Sequence, residues 1–157
     1  MEEDKIFMRD AIGQSLAGMQ NNEGGPFGAI VVKDGIVVGR GNNQVTSTND
    51  PTAHAEIMAI RDACKNLNSY QLDECVIYTS CEPCPMCLGA IYWARPCHVY
   101  YGCTREDAAK IGFDDDVIYR EMGVPIEERI IPMVQLLQEE ALGVFEAWRE
   151  KEDKVAY

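Results

Sequence analysis

Two short segments constrain this chain more than any other part of it. Residues 51–56 read Pro51-Thr52-Ala53-His54-Ala55-Glu56, and residues 78–96 read YTSCEPCPMCLGAIYWARP. Together they supply one imidazole, one carboxylate and a Pro-Cys-x-x-Cys. An imidazole and two thiolates fill three of the four tetrahedral positions around zinc. The fourth is left for water, which marks a catalytic rather than a closed structural site. A carboxylate beside that water can move its protons.

Three thiols compete for the metal: Cys81, Cys84 and Cys87. Pro83 suits the first turn of a helix, where its missing N–H costs nothing. On that helix Cys84 and Cys87 lie one turn apart and can face one ion, and the helix N-terminus favours thiolates. Cys81 precedes the helix and is the weaker ligand. A lone C-x-x-C reads equally as a redox pair or as two core thiols; the upstream His54 and Glu56 move the balance to a metal. The other histidine, His98, has no ligand-like spacing to any cysteine. Positions i and i+2 of a regular helix lie about 200° apart, so His54 and Glu56 reach one ion only if the helix start distorts or the ion sits off its end. A closed structural site of His54, Cys81, Cys84 and Cys87 in a binding module is the alternative. It leaves Glu56 without a role, and a core of this size does not need metal to fold.

Around these segments the chain reads as alternating helices and strands. Ile6, Phe7, Met8, Ala11, Ile12, Leu16 and Met19 recur at helical spacing over residues 4–20, roughly. Gly24-Gly25-Pro26 ends that helix. Ala29 to Lys33 and Ile36 to Arg40 flank Asp34-Gly35, the pattern of a hairpin. A helix follows from about Ala53 to Asn66, its apolar face marked by Ile57, Ile60 and Cys64. Cys75 to Thr79 and Val99 to Gly102 are short strands on either side of the cysteine helix. Asp107 to Ile111 and Val117 to Met122 are short helical pieces around Asp114-Asp115-Asp116. Ile130 to Leu137 is either strand or helix, and Ala141 to Lys151 is helical. Helix–strand–helix–strand after a hairpin implies crossover units. The expected fold is a three-layer α/β/α sandwich around a central mixed sheet of about five strands.

A net charge of −12 removes one class of partner. Nucleic-acid binding draws its affinity from Lys and Arg on phosphates, and this chain has no basic run. A small uncharged substrate fits better than a polyanion. No apolar run approaches the roughly 18 residues of a membrane span, and MEEDKIF lacks the features of a signal peptide. Seven cysteines in such a chain read as thiols and metal ligands of a reducing compartment, the cytoplasm.

The fragments DPTAHAEIMAIR and TSCEPCPMCLGAIYWARP resemble the cytidine-deaminase-like superfamily of zinc deaminases, whose signature is H-x-E…P-C-x-x-C. GGPFGAIVVKDG, IGFDDDVIYREM and FEAWREK extend the resemblance over nearly the whole chain, to the guanine deaminases within that superfamily. The resemblance implies one zinc per chain on His54, Cys84 and Cys87, and hydrolysis of guanine to xanthine and ammonia. It implies that Glu56 shuttles protons, with Asp115 helping to carry them. Phe27, Asn43, Ala55, Trp93 and Tyr157 would contact the purine, Phe27 and Trp93 as an aromatic pocket and Tyr157 by closing the site. It also implies a homodimer, one domain spanning residues 1–157 with a C-terminal segment of about 130–157 exchanged between chains. Deaminases of tRNA adenosine, guanosine, cytosine or aminotriazines share the zinc signature and stand as alternatives.

Overall fold

A computed structural model describes residues 2–157. They fall into two units, residues 1–115 and 116–157. The first unit begins with α1 (Glu2–Gln20), the hairpin β1 (Gly28–Lys33) and β2 (Ile36–Asn42), and the short α2 (Val45–Thr48). It continues with α3 (Ala55–Leu67), β3 (Val76–Cys81), α4 (Pro85–Ala94), β4 (His98–Cys103) and α5 (Arg105–Lys110). The sheet order is β2-β1-β3-β4, with β1 antiparallel to both neighbours and β3 parallel to β4. The hairpin turn is the expected one: Asp34 and Gly35 both take positive φ, 50° and 74°, as a two-residue turn matched to strand twist requires. Parallel β3 and β4 need a crossover, and α4 provides it.

Alternation along the strands sorts the core into two layers. Ala29 and Val31 of β1 and Ile77 of β3 pack with Ala55, Ala59 and Ala63 of α3 and with Ile91 and Ala94 of α4. Ile30, Val32 and Tyr78 pack on the opposite face with Ala11 of α1. A strand buried on both faces must be apolar throughout, which is why β1 reads Ala-Ile-Val-Val. At its edge Tyr78 donates to Asp4 Oδ1 at 2.8 Å, tying the start of α1 to the sheet.

The most deeply buried stripe of α3 is Ala55, Ala59 and Ala63 rather than the larger Ile57, Ile60 and Cys64, which are only partly buried. The reason lies opposite, in the Gly-x-Gly of β2. A Cβ on Gly39 would come 2.5 Å from the Ala59 carbonyl oxygen and 2.6 Å from the Ala63 nitrogen. A Cβ on Gly41 would collide with Ala55 and Ala59 backbone. Small residues on both sides let helix and strand touch backbone to backbone. We expect Gly39→Ala to push α3 off the sheet and lower stability by about 1–3 kcal/mol, the usual range for overpacking, read as a reduced urea midpoint. An unchanged midpoint would mean that α3 moves away at no cost.

The second unit contains α6 (Asp116–Gly123), a 3₁₀ turn (Ile126–Glu128) and α7 (Gln138–Glu150). The expected fifth strand is absent among the described residues: the sheet has four, and residues 130–137 form neither strand nor helix. Pro132 removes a ladder donor, and Leu137 takes a left-handed φ of 54° as the N-cap of α7. No residue of α6 or α7 is buried.

Candidate metal centre and active site

Two helix starts build the centre. His54 is not inside α3 but is its N-cap, with extended backbone at φ −72° and ψ 156°. A turn leads into it, in which Thr52 N–H and hydroxyl donate to Asp50 Oδ1 at 2.8 and 2.7 Å. Because residue 54 precedes the helix, its imidazole escapes the helical screw while Glu56 remains on it. That removes the 200° conflict without any helix distortion. Cys84 is likewise an N-cap, at φ −64° and ψ 167°. The helix-opening proline is therefore Pro85, not Pro83, and Cys84 is not a helical residue. Cys87 sits in the first turn of α4. The His54 side chain makes no cap bond to α3, and the Cys84 sulfur turns to Cys87 in the first turn of α4, so the three ligand atoms gather in front of two positive helix ends.

His54 Nδ1 lies 3.5 Å from the sulfur of Cys84 and 3.5 Å from that of Cys87. All three ligand atoms lie within 4.8 Å of one another. Zinc bonds of about 2.0–2.1 Å to nitrogen and 2.3 Å to sulfur, at a tetrahedral angle, place N and S about 3.5 Å apart. The donor set therefore fits zinc in both chemistry and spacing. Cys81 does not join it: its sulfur donates to the Thr104 carbonyl at 3.6 Å, and burial, then the neighbouring Cys103, push its thiol up to about 11. Three ligands rather than four make the site open, which rejects the closed structural reading.

The three ligand groups influence one another's protons. The Cys87 thiol donates to Cys84 and, with His54, draws Cys84 down to about 4 against the effect of burial. The same hydrogen bond, then burial, pushes Cys87 up. The Cys84 thiolate in turn raises His54. To hold a dication, His54 and Cys87 would have to give up their protons.

Glu56 is only 6% exposed. Burial, and the charge of Cys84 after it, raise its carboxyl above the ordinary carboxylate range. The Thr79 hydroxyl on β3 lies 3.2 Å from Glu56 Oε1 and 3.0 Å from the Cys81 carbonyl. A buried carboxyl beside three ligands, with its affinity for protons raised, has the properties of a general acid–base.

The remaining residues singled out in the sequence are distributed as follows. Ala55 is buried beside His54. Asn43 is buried, and its carbonyl oxygen accepts from the N–H groups of Gly25 and Val45, both at 3.2 Å. Those two bonds settle the amide orientation and leave its NH₂ as the outward-facing group. Phe27 meets Phe113 edge to face, with centroids 4.9 Å apart. Phe113 was not anticipated, although it stands in the IGFDDD stretch. Asp115 is raised chiefly by burial, with the Cys84 charge contributing. Trp93 is on the outer side of α4, 65% exposed, and Tyr157 in the second unit is 71% exposed.

The cytidine and deoxycytidylate deaminase zinc-binding region matches residues 1–103. The chain belongs to this family of zinc deaminases. Among its relatives, the guanine deaminase of Bacillus subtilis strain 168 is 55% identical over 98% of this chain and 98% of that protein. The X-ray structure of the Bacillus subtilis guanine deaminase superposes with a TM-score of 0.95 at 54% identity, again covering 98% of both chains. The tRNA-specific adenosine deaminase of Streptococcus pyogenes serotype M18 is 38% identical over 68% of this chain and 66% of that protein, leaving the rest of this deaminase unmatched.

Proposed function

We infer that this chain is a zinc-dependent guanine deaminase, hydrolysing guanine with water to xanthine and ammonia. One observation carries the reading. An open three-ligand centre with a buried carboxyl beside it occurs in a chain that matches a guanine deaminase over 98% of both lengths. His54, Cys84 and Cys87 hold the zinc, one ion per chain, which supplies Lewis acidity at its open position. Glu56 carries the two protons of the attacking water in turn, the first to the ring nitrogen and the second to the departing amine. Asn43, its oxygen already engaged, offers N–H donors to an acceptor on the purine edge. Phe27, steadied by Phe113, and Trp93 supply the aromatic pocket for the purine, and Ala55 contributes beside His54. Asp115 relays protons to the leaving amine, and Tyr157 closes the site.

We place the enzyme in the cytoplasm, where thiolate ligands stay reduced. No described helix is long and apolar enough to cross a membrane. We also propose a homodimer in which one domain of residues 1–157 exchanges its C-terminal segment, about 130–157, with a second copy. The support is apolar surface that one chain does not cover: Ile130, Ile131, Val134, Leu136 and Phe145 are all exposed.

The test is ammonia release from guanine, adenine, cytosine, guanosine and a tRNA anticodon stem-loop at equal concentration. We expect the kcat/KM for guanine to exceed the others at least about tenfold, or 1.4 kcal/mol of transition-state discrimination. The net charge of −12 disfavours the stem-loop. Preference for the stem-loop would transfer the protein to the tRNA deaminases.

A further inference from the structure

Two aliphatic hydroxyls, those of Thr79 and Ser80, stand side by side in β3. Ser80 accepts from the Gly28 N–H at 3.0 Å and so ties β3 to the start of β1. Thr79 projects to the opposite face, toward α3, and is 1% exposed. The hydroxyl has one proton to give and lone pairs with which to accept. It lies 3.0 Å from the Cys81 carbonyl, which alone satisfies its burial, and 3.2 Å from Glu56 Oε1, to which it donates when the carboxyl is ionised and from which it accepts, while donating to Cys81, when the carboxyl is protonated. The Glu56 contact is therefore not required by the burial of Thr79 itself. It matters to Glu56. The terminal torsion of a glutamate is broad and roughly two-fold, so a carboxyl on three rotatable bonds needs outside contacts to keep one orientation. Thr79 supplies such a contact from the sheet side.

We propose that Thr79 is a positioning residue for deamination, its hydroxyl fixing the Glu56 carboxyl in the orientation from which protons are transferred. The hydroxyl of Thr79 bonds Glu56 and the Cys81 carbonyl rather than His54, Cys84 or Cys87. It acts through Glu56, across the gap between a central strand and the first turn of α3. The gap is kept by the backbone contact between α3 and the glycines of β2, so the hydroxyl sits on a rigid support. This role rests on the guanine deaminase reading for its assay, though not for its geometry.

Thr79→Val keeps the shape and removes the hydroxyl, whereas Thr79→Ser keeps the hydroxyl. Misplacing a reacting group by about 1 Å costs on the order of 10²-fold. We expect Thr79→Val to lower kcat for guanine by about ten- to a hundredfold, with KM changed less than about twofold and zinc content at the wild-type level. Thr79→Ser should restore kcat to within about threefold. Crystal structures of the zinc-loaded proteins should show the Glu56 carboxyl turned in Thr79→Val and in place in Thr79→Ser. Thr79→Ala, which also lacks the hydroxyl, replaces the valine variant if that one does not fold. Unchanged kcat with an unmoved Glu56, or a serine variant as impaired as the valine one, overturns the assignment. If the wild type releases no ammonia from guanine, the substrate reading fails, and the Glu56 position in the crystals still decides the role of Thr79.

Discussion

Glu56→Gln will keep its zinc and lose about 10²- to 10⁴-fold in kcat, the range general acid–base catalysis supplies. The substitution changes little else. Glutamine has the same length and can accept from Thr79 through its amide oxygen, as Glu56 Oε1 does now. It is also neutral, so in this buried position it avoids the penalty that burial imposes on the carboxylate. Folding stability should therefore hold or rise slightly, and a loss of activity cannot be attributed to unfolding. Only the ability to take up and release a proton disappears. Steady-state kinetics beside metal analysis and a melting curve would check this. Turnover close to wild type would remove Glu56 from the chemistry.

Cys84→Ser will abolish both zinc binding and turnover, while Cys81→Ser will leave zinc at about one per chain, as a three-ligand site requires. Serine at position 84 offers zinc a poor, protonated ligand in place of a thiol that its Cys87 and His54 neighbours hold well below the ordinary thiol range. Serine at position 81 still offers a donor to the Thr104 carbonyl and leaves the three ligands untouched. The metal also stabilises the fold, because only the folded chain brings residues 54, 84 and 87 together. At a free zinc concentration 100 times the dissociation constant this amounts to about 2.7 kcal/mol. A chelator should accordingly lower Tm for the wild type and for Cys81→Ser, and leave Cys84→Ser unmoved. Zinc binding should also weaken as pH falls, since His54, raised by the Cys84 thiolate, must give up its proton to bind. Loss of zinc from Cys81→Ser would restore the four-ligand reading.

Residues close in sequence explain most of what could be read without a structure. The Asp34-Gly35 turn and the helix of α1 are local patterns, and each appears where its spacing placed it; Cys84 and Cys87 do meet at one site, with Cys84 as a cap rather than a helical residue. The ligand types are similarly local, because an imidazole and two thiolates select zinc whatever surrounds them. The helix boundaries at the site were misread by one or two residues. Proline at either 83 or 85 can open a helix, and only the backbone path out of β3 decides between them. That shift mattered, since it converted both His54 and Cys84 from helical residues to caps.

What the amino-acid sequence determined by itself is the chemistry available: one His-x-Glu, one Pro-Cys-x-x-Cys, an acidic chain and the alternation of elements that builds a layered sheet. Tertiary structure alone decided which of these groups act on each other. It excluded Cys81 by turning its thiol to Thr104, and it set Thr79 against Glu56 across 23 positions of chain. It also buried the alanine stripe of α3 instead of its larger neighbours, because the facing glycines of β2 leave room for nothing larger. The fifth strand failed for a related reason. A run of apolar residues records a need for burial and does not name the surface that will provide it. Periodicity measures how a segment divides its own faces, whereas strand order, close approach and hydrogen bonds between distant residues depend on what lies opposite.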